Sequence, residues 1–130
     1  MKTTFYLKTV TGALIGVIST LFGSLDAYLY GLMFCIVADY ITGICAAFYE
    51  KKLDSRTGFV GILKKIVILT VVALSHTLGE VANIPTIRNV VIGFYIANEG
   101  LSILENAARM NIKGTEKLKE FLTQLSEKTE

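Results

Sequence analysis

The chain has 130 residues, of which 52% are apolar and 18% charged, and its formal net charge is +2. That length suits one domain. Ordinary soluble domains run about 45–50% apolar and about 25% charged; here the apolar surplus is bunched into long uncharged runs, which excludes an ordinary soluble bundle and points to lipid.

The first run, Thr9 to Leu25, has 17 residues without a charge, just reaching the about 17–25 that a membrane-crossing helix needs. Lys2 and Lys8 precede it. A basic tip before an apolar run is also the outline of a signal peptide, but "STLFGSLDAY" offers no small-x-small cleavage site, so the segment is expected to stay. Along it Gly12, Gly16, Ser19 and Gly23 fall with Thr9 on one helical face. "GALIG" is a small-xxx-small pattern that lets two helix backbones approach closely in lipid, within one protomer or between protomers.

The second run, Ala27 to Tyr49, has 23 residues and a single charge, Asp39. On the insertion scale a central Asp costs about 2.5–3.5 kcal/mol, against roughly 0.3–0.6 returned by each Leu, Ile, Phe or Val. The segment therefore inserts with little surplus, and Asp39 must face protein or water. Gly43 lies on its small, weakly polar side. Cys35 and Cys45, ten helical residues apart, are roughly 15 Å from one another and beyond disulfide reach.

A basic stretch follows, with Lys51, Lys52, Arg56, Lys64 and Lys65 expected to fix a cytoplasmic loop against anionic headgroups. The third segment is placed at 66–82 with His76 inside it. After the turn formers Asn83 and Pro85, a fourth is placed at 86–104 around Glu99, with Gly93, Ala97 and Gly100 as another small-residue face. From Thr115, Leu118, Phe121, Leu122 and Leu125 recur at i, i+3, i+4 and i+7, an amphipathic helix lying at the interface or against a neighbouring copy.

These readings predict an all-α integral membrane bundle. Residues 1–108 form a transmembrane domain with spans at about 9–25, 27–49, 66–82 and 86–104, and 109–130 form a basic cytoplasmic amphipathic tail. With four spans and both termini inside, twelve of the thirteen basic residues are cytoplasmic and only Arg88 is outside; three spans is the alternative. Membrane orientation accounts for the basic residues, so no nucleic-acid partner is expected. Asp39, His76 and Glu99 are expected at similar depth, as an intramembrane polar layer within or between protomers or as three separately satisfied groups. With one His and no Cys-x-x-Cys, neither a metal nor another cofactor is expected. No phosphate loop or nucleophile motif is present, so no enzymatic activity is expected either.

Three stretches, "ADYITGICAAFYEKKLDSRTGFVGILKK", "VALSHTLGE" and "IANEGLSILENAARMNI", together with the tail "TEKLKEFLTQL", resemble the toxin-secretion/phage-lysis holin family. The matching positions are Asp39, Gly43, Gly58, Gly61, Lys64, Lys65, Asn98, Glu99, Gly100, Glu105 and Asn106. The resemblance implies a protein of the bacterial cytoplasmic membrane that forms homo-oligomers in the lipid bilayer and opens timed lesions. Through these an endolysin or large toxin passes, without necessarily binding. It also implies three spans as the more usual count. A small ion channel or transporter subunit using the midplane carboxylates is the other reading.

Overall fold

The computed structural model describes residues 1–129. Among them are five helices: α1 (Lys2–Phe22), α2 (Ala27–Tyr49), α3 (Ser55–Ala82), α4 (Thr86–Arg109) and α5 (Glu116–Thr129). Local chemistry sets the ends. Asp26 caps α2, its carboxylate accepting from the Leu29 amide at 3.0 Å. Asp54 caps α3, accepting from the Arg56 amide and the Thr57 hydroxyl. Asn83 ends α3 in the left-handed region (φ 56°). The Ile84 carbonyl then comes so close that a Cβ on Gly79 would lie 2.9 Å from it.

The start of α3 differs from expectation. The basic stretch is not a loop: Arg56 to Lys65 form the first turns of a 28-residue helix, and only Glu50 to Asp54 connect it to α2. The Asp54 cap and the absence of Pro let the helix propagate N-terminally from the apolar run, carrying Gly58 and Gly61 within it.

α1, α2 and α3 are long and apolar enough to cross a membrane; α4 is not among them. The core is small, with Leu32, Ile36, Val72 and Ile92 buried and Phe22, Ile68 and Tyr95 packed against them. Beyond it large apolar side chains such as Phe5, Leu14, Phe34, Phe48 and Val67 are exposed, as a helical membrane bundle requires when lipid covers its flanks. α4 packs chiefly on α2 and carries its polar residues inward: Arg88, Glu99 and Asn106 are all buried. α5 folds back along α4, where Leu122 sits over Gly100 and Ser126 donates to the Asn98 side chain at 3.3 Å. α1 is the outlier, with no buried residue along its 21 positions.

Candidate ionic centre

Three helices meet at Lys65. Its ammonium, from α3, donates to the carboxylates of Asp39 on α2 and Glu99 on α4. The side chains are only 15%, 11% and 8% exposed respectively. The Asn106 amide, about two turns below Glu99 on the same face of α4, donates to Asp39 Oδ1 at 3.1 Å, to the Asp39 carbonyl at 3.2 Å and to the Thr42 hydroxyl at 3.0 Å. Arg109 in turn donates to Asn106 Oδ1 at 3.2 Å and grips Glu50 with Nε and Nη2 at 3.0 and 3.2 Å. A continuous polar chain thus runs Glu50–Arg109–Asn106–Asp39–Lys65–Glu99, from the exposed end of α2 to the interior. One ammonium between two carboxylates leaves a negative charge over when all are ionised. Such a group is tolerated in a low-dielectric interior only while every partner stays in place.

Of the residues expected in the polar layer, Asp39 and Glu99 are brought together, and His76 is not. Centred near residue 68, α3 carries His76 toward its C-terminal end, eleven residues and about 16 Å along the helix from Lys65. There the His76 ring lies over Gly23, whose Cβ would fall 3.0 Å from it. Lys65, expected at the headgroups, is the partner the acids needed. The signal for it was available: Gly58, Gly61, Lys65, Ile68 and Val72 follow helical spacing on one face of α3.

A second buried cation stands at the opposite end. Arg88 of α4 donates to the Phe22 carbonyl at 2.5 Å, the Ser24 carbonyl at 2.7 Å and both Asp26 oxygens at 2.8 and 3.2 Å. This pairing holds the Asp26 carboxyl below the ordinary carboxylate range. Gly23 bends the chain into the clasp with φ 80°, and a Cβ there would also lie 3.0 Å from Arg88 Nε.

The small-residue positions divide. Gly12, Gly16 and Gly93 have no atom within 4 Å of a modest added side chain, and Ser19 is half-buried. Gly43 faces the Asn106 amide, Ala97 is fully buried, and Gly100 lies under Leu122. Lys51, Lys52, Arg56 and Lys64 are exposed. Cys35 and Cys45 are free thiols. Among the described residues, no group of three or more His, Cys, Asp and Glu side chains is placed to hold a metal ion.

Comparison with known proteins agrees in kind. Residues 16–127 match the model of the bacteriophage holin family. An uncharacterized protein of Listeria monocytogenes is 47% identical over 103 residues, 78% of this chain and 74% of the relative. An uncharacterized 14.9 kDa protein from the nagH 3′ region of Clostridium perfringens is 38% identical over 125 residues, 95% of each chain. A probable holin of Bacillus phage phi105 is 35% identical over 95 residues, covering 67% of this chain and 70% of the phage protein. No solved structure matches.

Proposed function

The chain belongs to the bacteriophage holin family, and from that premise we propose that it assembles into homo-oligomers in the bacterial cytoplasmic membrane and opens lesions there at a set time. The match over residues 16–127 carries this reading, because it takes in α2 to α4 and the whole ionic centre. We place α1, α2 and α3 across the bilayer. α4, with 24 residues or about 36 Å, returns beside α2 with its charges turned inward, leaving both termini cytoplasmic.

The mechanism follows from the contrast between sheltered charge and bare helix. A side chain begun at Gly12 or Gly16 of α1 would meet no other part of the protomer within 4 Å, so this face is open to pack against another copy. In the single chain Asp39, Lys65 and Glu99 are closed against one another. When copies gather and helices shift, parting α3 from α2 and α4 would expose both acids and the lysine. Hydrating them then compensates for the lost pairing and holds a water-filled opening in place. An endolysin or secreted toxin needs only the opening, not a docking site. The chain itself carries out no catalysis, and no nucleic acid takes part.

Induced expression in a bacterial host, with a cytoplasmic marker enzyme followed in the medium, tests the proposal. Growth halting abruptly after a delay, together with marker release, is the expected result. A selective ion conductance that spares the host and retains the marker would instead assign the buried carboxylates to a channel or transporter.

A further inference from the structure

Beside the ionic centre lies a cavity of about 530 Å³, framed by the C-terminal half of α2, the N-terminal half of α3 and the C-terminal half of α4. That volume falls in the about 300–1,000 Å³ range of sites that enclose small ligands. Tyr40 of α2 lies along the cavity wall against the glycines of α3, with its hydroxyl 3.5 Å from where a Gly58 side chain would begin and its ring 3.7 Å from where one on Gly61 would.

The walls differ in chemistry from floor to mouth. At the floor are Asp39, Lys65 and Glu99, with their acidic excess, which repels an anion. Lys52, in the connection before α3, and the exposed Lys64 also line the space, and neither makes an ion pair among the described residues. Asp54, also there, is occupied in capping α3. Ile44 and Val60 supply apolar wall between. Lys51 and Arg56, though equally exposed and close in sequence, do not line the cavity.

We propose that this cavity is a binding site for the headgroup of an anionic phospholipid, its phosphate held by Lys52 and Lys64 and its acyl chains leaving along Ile44 and Val60. Charge complementarity and position select this occupant. Lys52 stands in the connection between α2 and α3, at one end of helices long enough to cross a membrane, where headgroups lie. Lys64, ten residues into α3, is exposed and has a side chain long enough to extend toward that end. Ile44 and Val60 offer apolar surface to acyl chains. A basic residue near an anionic membrane surface contributes about 1 kcal/mol, so removing both lysines should weaken retention roughly thirtyfold. The site is distinct from a general attraction of the whole basic stretch, in which Lys51 and Arg56 would count equally.

The full chain in nanodiscs of mixed phosphatidylcholine and phosphatidylglycerol, released for native mass spectrometry, tests it. Wild type should retain phosphatidylglycerol over phosphatidylcholine. The double variant K52Q/K64Q should lose that preference, and K51Q/R56Q should keep it. Equal losses in the two double variants, or no preference in wild type, would overturn the site. So would inorganic phosphate binding to the detergent-solubilised chain while phosphatidylglycerol leaves no adduct, which would make the ligand a free anion. Lysis is not the readout, so this outcome is separate from that of the lesion experiment.

Discussion

Among the described residues Arg88 is a buried cation and Lys65 a largely sheltered one, and they are held in different ways. Arg88, 8% exposed at its side chain, meets two carbonyls and one carboxylate, all from the short connection between Phe22 and Asp26. Its rigid fork suits several fixed acceptors at once, and the pair with Asp26 is neutral. Lys65 is a point charge between carboxylates on two different helices, with charge left over and a cavity alongside. Arg88 therefore works as a joint that fixes how the chain turns from α1 into α2. Lys65 is a bracket across three helices.

The comparison is broken most forcefully at Lys65. Lys65→Leu strands two buried carboxylates and should cost about 3–5 kcal/mol, seen as a large fall in the thermal midpoint in micelles. Replacing all three groups, as D39L/K65L/E99L, should restore stability to near wild type, because an apolar core of similar volume tolerates the loss of an ionic cluster. Arg88→Leu should cost about 1–3 kcal/mol, the penalty of leaving the Phe22 and Ser24 carbonyls unsatisfied. Limited proteolysis should then cut between α1 and α2, while the α2–α4 core persists. Gly23→Ala, strained at φ 80° and ψ −152° and crowded by Arg88 and His76, should cost about 1–3 kcal/mol and loosen the same connection.

The smallest effect is a pH dependence. Arg88 lowers the folded-state pKa of Asp26 from the ordinary 3.8. The stabilisation is therefore full above that value and is lost as pH falls through the lowered one. Thermal midpoints should drop in that acidic window in wild type, and the drop should be smaller in Asp26→Asn. Asp26 is about a third exposed, so solvent screening keeps the change slight.

Much of this was legible from residues alone. Asp39 and Glu99 stood out because a carboxylate in an apolar helix needs a partner. Tail residues Leu118 to Leu125 declared a helix by their spacing. Lys65 was harder to read, because a lysine at the edge of an apolar run has the same sequence signature whether it snorkels to headgroups or turns inward. Only the N-terminal extension of α3 from its Asp54 cap settles the choice. His76 misled for the related reason that the helix centre moves when its start moves. The docking of α5 on α4 depends on Gly100 leaving room for Leu122, a match between distant positions that periodicity does not encode.

The claim that the Lys65 bracket is what opens is tested most directly by inducing the triple variant D39L/K65L/E99L beside wild type, at equal membrane levels. Release of the cytoplasmic marker enzyme is the readout. Wild type should halt growth and spill the enzyme, while the variant, inserted and folded, should keep it inside. Equal release at equal times from the variant would show that the buried charges have no part in forming the opening.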